Sequence, residues 1–252
     1  NYCIIDIETI CISEVRKNII PGKKVIIFIV ALIIGLTFAK VFGAVLGFGL
    51  PTVSFNIFSG IKGSGVTKIE KRELSNFKKI DTSGIINLEV TAQKDFDVNV
   101  ETDDNLLEYV VTEVKGDTLK IYTKQNISPR NKIRVVVAMP DLTGVDVSGI
   151  AKVTANNIKT ESFNLEISGA SKVELNGEAN NLIINASGAS KIDAENLKVE
   201  SANVDVSGAS NITVNATEEV RADASGASKI NYVGEPKNVI KHTSGASKVL
   251  QK

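Results

Sequence analysis

The chain has 252 residues, with 29 basic and 29 acidic side chains and a formal net charge of zero. Residues 63–252 hold 23 of the bases and 26 of the acids, a slight acidic excess that excludes the concentrated basic surface needed to bind nucleic acid. Both cysteines, Cys3 and Cys11, stand near the N-terminus, so a disulfide framework or a cysteine-rich metal site is excluded from the rest.

Arg16, Lys17, Lys23 and Lys24 precede an uncharged run from Val25 to Ala39, which resumes after Lys40 and continues to Leu50 before Pro51. About 20 apolar residues span a bilayer. Val25–Leu50 reaches that length if Lys40 snorkels to an interface. The pattern predicts one transmembrane helix over residues 25–50, acting as a signal anchor. The positive-inside tendency puts residues 1–24 in the cytoplasm and residues 51–252 outside. A cleaved signal peptide with Val25–Ala39 as its apolar core is the alternative. No small-x-small cleavage site follows, which favours the anchor.

Residues 51–74 read as a linker. Ser59-Gly60-Ile61-Lys62-Gly63-Ser64-Gly65 has flexible composition, and the charged Thr67–Leu74 suits a stalk. Residues 75–140 form an N-terminal β cap block. Ile80, Thr82, Gly84, Ile86, Leu88 and Val90 share one parity, the signature of a strand with one buried face. Phe96, Val98 and Val100 mark a second strand. Leu106–Val114 and Thr118–Thr123 make a hairpin across Lys115-Gly116-Asp117. Ile133, Val135, Val137 and Met139 alternate again and stop at Pro140. Asp103-Asp104-Asn105 reads as a solvated turn, because it lacks the ligand spacing of a calcium loop.

Residues 141–252 are repetitive. Ser-Gly-Ala-Ser occurs at Ser168, Ser187, Ser207, Ser225 and Ser244, with degenerate copies at Ser148 and, upstream, at Ser83. From Ser148 the intervals are 20, 19, 20, 18 and 19 residues. Such a period marks a solenoid. Period-two alternation runs through each Ser-Gly step, as in Leu165, Ile167, Gly169, Ser171 and Val173, so each copy is a strand with one face inward. Turns such as Asn156-Asn157, Asn176-Gly177-Glu178 and Gly234-Glu235-Pro236 close the copies. The predicted fold is all-β: a right-handed parallel β-helix of 18–20-residue coils. Its hand follows the rule for parallel crossovers.

The glycines Gly149, Gly169, Gly188, Gly208, Gly226 and Gly245 are expected to turn inward at a corner. The serines after them, Ser171, Ser190, Ser210, Ser228 and Ser247, are expected to form an internal hydroxyl ladder bonded to the next coil. A nucleophilic role is disfavoured, because the chain has a single histidine, His242, to serve as base. Outside, Lys152, Lys172, Lys191, Lys229 and Lys248 fall in one column, with Asn211 substituting once. Stacked like charges repel, so this column reads either as a solvated strip that blocks aggregation or as a ladder for an anionic ligand. The last copy has Lys241 and Thr243 where apolar residues are due, a polar finishing rung that leaves end-to-end association open.

The Phe77-Lys78-Lys79-Ile80 opening, the Gly116-Asp117-Thr118-Leu119 hairpin, the Met139-Pro140-Asp141-Leu142 step and the serial Ser-Gly-Ala-Ser-Lys together resemble the auto-transporter adhesin, head GIN domain family of bacterial envelope proteins. The resemblance covers roughly residues 75–250. It implies a right-handed β-helix outside the cytoplasmic membrane and brings no catalytic, cofactor-binding or metal-binding residues to carry over. The expected function is a non-enzymatic, membrane-anchored surface for adhesion or for contact with an envelope glycan or protein. A self-assembling envelope scaffold or envelope-stress accessory protein and a polysaccharide-active β-helix enzyme are the alternatives. The enzyme would need clustered acids in a long side loop, which the short turns of the repeats do not provide.

Overall fold

The computed structural model describes residues 60–252, which fall within one compact unit. The expected anchor and its flanks lie outside the described residues. Among the described residues no helix is long and apolar enough to cross a membrane. Their fold is all-β apart from the 3-10 helix Asp104–Tyr109.

The repeats form a β-solenoid of about five turns. Strands Gly144–Gly169, Lys172–Gly188, Lys191–Gly208 and Asn211–Ala224 pair in sequence, each parallel to the next. These strands exceed ordinary length because they turn corners without leaving the sheet. The reason lies in the side-chain pattern. In one coil Val173, Leu175, Ala179, Leu182, Ile184 and Ala186 are all buried, and the equivalent positions are buried in its neighbours except at Thr160, which is half-buried. A single coil encloses too few of these to offset the cost of ordering its backbone, so stacking is what completes the core.

Interval length varies without disturbing this pattern. Registers slip between Glu174 and Gly177 and between Ala194 and Lys198. The segment Asn181–Gly188 stays aligned residue for residue with Ser201–Gly208. The corner at Asn156, Asn176 and Asn196 therefore takes up most of the variation, with one further slip between Val199 and Ser201.

The upstream Ser-Gly copy is a rung of the same stack. Lys79–Thr91 pairs parallel with Gly144–Asn156, setting Ser83 on Ser148 and Gly84 on Gly149. Residues 92–143 are an excursion between two adjacent coils. In it Asp97–Asp103 pairs antiparallel with Arg134–Ala138 and with Thr67–Arg72. The hairpin is present as Val110–Lys115 and Thr118–Thr123. Its first run is shorter than expected, because Leu106 and Leu107 bury themselves from the 3-10 helix instead.

Two expectations are corrected here. Residues 61–72 are not linker and stalk: Ile61–Lys62 pairs with Ile127–Ser128, and Thr67–Arg72 is a sheet strand. Asp103 is not in a solvated turn. It is fully buried, and its carboxylate accepts hydrogen bonds from Gly65 N (2.9 Å), Arg130 N (2.8 Å), Asn131 N (3.2 Å) and Asn131 Nδ2 (2.8 Å). A Cβ at Gly63 would overlap this carboxylate. The glycines read as flexibility thus serve close approach of the chain to a buried charge.

Candidate functional site: the serine corner and its flanking charge columns

Each Ser-Gly-Ala-Ser forms an edge where one strand face ends and the next begins. The glycines do not point into the core. They are half-buried or exposed and have positive φ, +114° at Gly188 and +112° at Gly208. A Cβ at Gly188 would run along the stack into Gly169. The glycine is required by a left-handed backbone pressed against the coil before it.

The second serine does turn inward. Ser171, Ser190, Ser210 and Ser228 are buried, whereas Ser247 is half-exposed. Their bonds reach back to the preceding coil rather than to the next. Ser190 Oγ accepts from Ser171 N (3.2 Å) and donates to Gly169 O (3.2 Å). Ser171 Oγ does the same with Ala151 N (3.0 Å) and Gly149 O (3.2 Å). The same glycine carbonyls accept the following Ala N–H, as in Ala189 N to Gly169 O at 2.9 Å. Each hydroxyl therefore satisfies buried backbone groups that the turn would leave unpaired. A serine so occupied is a structural clasp.

On the strand leaving the corner, Lys152, Lys172 and Lys191 lie side by side in register, Asn211 follows, and Lys229 and Lys248 continue the column. All five lysines are exposed, and among the described residues none lies within ion-pair distance of an acid. Lys152, Lys172 and Lys191, with Ile85, Ile150, Ala170 and Ala189, border a shallow open groove of about 460 Å³. In the next column, two residues past Lys172 and Lys191, Glu174 pairs in register with Asp193.

On the strand entering the corner stands a column that the sequence shows only once the copies are aligned: Asp81, Asp146, Glu166, Asn185, Asp205 and Asp223, most of them lining a second groove of about 370 Å³. Asp81 meets Lys120 at 2.9 Å, and Asp223 meets Arg221 at 3.3 Å and His242 at 2.8 Å. Among the described residues Asp146 has no such partner. Partial desolvation, then repulsion from Glu166 and Asp81, raises its pKa above the ordinary aspartate value. The hydrogen bond from His242, followed by that from Arg221, lowers the pKa of Asp223. Ser225 lies in the same groove as this His–Asp pair, but its hydroxyl donates to Val206 O at 3.3 Å. Among the described residues no hydrogen bond joins His242 to a serine, and no three metal-ligating side chains are grouped to hold an ion.

A stacked parallel solenoid with a serine clasp at each Ser-Gly-Ala-Ser rung and charged columns outside defines the chain as a repetitive β-solenoid protein. Residues 76–236 match the family described as "Putative auto-transporter adhesin, head GIN domain", and the chain belongs to this family. A crystal structure of a putative adhesin from Bacteroides fragilis NCTC 9343 is similar over 77% of this chain and 100% of its own, at 22% identity and a TM-score of 0.65. A putative adhesin from Parabacteroides merdae ATCC 43184 matches 77% of this chain and 99% of its own, at 19% identity and a TM-score of 0.46. These identities establish likeness of fold, carried by the first structure. No curated protein matches the chain.

Proposed function

We propose that the protein is a non-enzymatic, membrane-anchored solenoid displayed outside the cytoplasmic membrane, with a right-handed coil, and that its lysine column receives an anionic envelope or cell-surface glycan. The observation that carries this reading is the column itself: five exposed lysines at rung spacing with no acid in ion-pair distance among the described residues. One exposed ion pair contributes only about 0–1 kcal/mol. A polymer engaging several rungs adds such contacts without paying the association cost again. The absence of a free nucleophile at the corner serines favours binding over chemistry, since their hydroxyls are bonded to backbone.

A glycan array with the wild-type chain and a Lys172→Gln/Lys191→Gln/Lys229→Gln variant tests it. Acidic glycans should be retained by the wild type and lost by the variant, and the loss should shrink as salt rises. Equal binding by both, or binding by neither, removes the reading.

A further inference from the structure

Ile85 and Ile150 break the rule of the corner. Later copies place alanine at this position, as in Ala170, Ala189 and Ala209. The first two rungs place isoleucines that are neighbours in register, 68% and 59% exposed. Exposed large side chains scattered singly need no explanation, but an adjacent pair on a ridge of small residues does. The ridge also separates two columns of opposite sign. Lys152 and Lys172 on one side, and Asp146 and Glu166 on the other, lack ion pairs among the described residues. Each column repels itself at sheet spacing.

We propose that this ridge is the contact between two copies of the chain, packed side by side with their solenoid axes parallel. The isoleucine pairs meet, and each copy's acidic column faces the other's lysine column. Symmetry selects the parallel arrangement. A two-fold axis along the stack exchanges left and right across the ridge, so acid meets lysine. A two-fold axis perpendicular to the stack and lying in the contact plane sets acid on acid and lysine on lysine. The closed, isologous dimer that avoids repulsion is the parallel one. Equal rungs then meet, placing Asp146 by Lys152 and Glu166 by Lys172, each pair formed twice. Both copies share one rise of about 4.8 Å per coil, so the rungs stay in register along the ridge: Asp223 by Lys229 adds a third charge pair, while Asn185 meets Lys191 and Asp205 meets Asn211 as neutral-to-charged contacts. Alanine and glycine keep the ridge low enough for lysine stems to reach across.

Other occupants fit less well. An anionic polymer answers the lysines and leaves the acids uncompensated. An anionic bilayer meets the isoleucines and is repelled by the acids. A second copy supplies both signs at the right spacing. The inference stands apart from the glycan reading but uses the same lysines, so the two are measured separately.

The test uses the full chain carrying Cys3→Ser and Cys11→Ser. A single Ala189→Cys lies on the proposed two-fold and should give a disulfide-linked dimer on mild oxidation, whereas Glu200→Cys, on another face, should not. In sedimentation velocity, Ile85→Ser/Ile150→Ser should raise the dimer dissociation constant about tenfold or more. Lys172→Glu should weaken the dimer at low salt, and adding Glu166→Lys should restore it, because the swapped charges meet across the axis. A monomer at every concentration overturns the proposal. So does equal cross-linking at the two cysteine positions, or failure of the double swap to restore what the single change lost. The swap remains informative if the isoleucine variant misfolds.

Discussion

Replacing Gly188 by alanine separates two reasons for a corner glycine, because Gly84 serves as an internal control. Both have similar left-handed backbones, with φ of +114° and +103°. At Gly84 an added Cβ meets nothing within 4 Å; at Gly188 it overlaps Gly169 O and lies 3.0 Å from Gly169 N. The backbone strain, about 1–3 kcal/mol, is common to both. Gly188→Ala must in addition push two coils apart, an overpacking cost of about 1–3 kcal/mol. The carbonyl it displaces accepts from Ala189 N and Ser190 Oγ at 2.9 and 3.2 Å, bonds with a net value of about 1 kcal/mol each. Gly84→Ala should therefore cost about 1–3 kcal/mol and Gly188→Ala about 2–6 kcal/mol, rising to about 8 kcal/mol if both hydrogen bonds are lost. Urea unfolding followed by far-ultraviolet circular dichroism gives both, provided the m-value is unchanged. Equal losses at the two positions would show that stacking closeness is not what demands glycine.

Ser190→Ala should cost about 1–3 kcal/mol in the same assay, since Ser171 N is left buried without its partner, while Ser247→Ala, at a half-exposed site, should cost less. Burial works to raise the pKa of Asp103, but hydrogen bonds from Asn131, Arg130 and Gly65 outweigh it and hold the pKa below the ordinary aspartate value. Its contribution to stability is thus present above the unfolded pKa of about 3.9 and is lost as pH falls through the lower folded value. Hydrogen exchange at Gly65 and Asn131 should accelerate in that acid range, and Asp103→Ala should abolish the protection at neutral pH. Asp146 has the opposite sign, a raised folded pKa. Asp146→Asn should raise the urea midpoint at pH 7, and the gain should vanish below about pH 3.9, where the carboxyl is protonated in both states.

The solenoid was legible in sequence because its two periods, two along the strand and about nineteen between Ser-Gly steps, are written in residue identity. The inward serines follow from parity alone. The glycine direction did not, because parity assigns a face only to residues of ordinary strand backbone, and φ near +114° turns the missing Cβ along the stack. The strap at residues 61–72 was misread for a related reason. Glycine and serine composition is the same whether a chain is loose or is fitted against a carboxylate, and nothing local reveals Asp103 as its partner. The lysine column could be seen from one repeated residue type. The acidic column mixes Asp, Glu and Asn, and its balance against the lysines emerges only when coils are set in register.

The corner at Asn156, Asn176 and Asn196 has a meaning beyond bookkeeping of coil length. Later coils gain or lose residues there. The excursion of residues 92–143 departs at the same place, immediately after Thr91 pairs with Asn156. One vertex of the coil thus accepts anything from a single residue to a small subdomain while the opposite edge, with its clasps and charges, keeps its phase. Novelty can be grafted at that vertex without rewriting the surface elsewhere, which makes it the natural place to insert a binding loop by design and the place where divergent relatives should differ most in length.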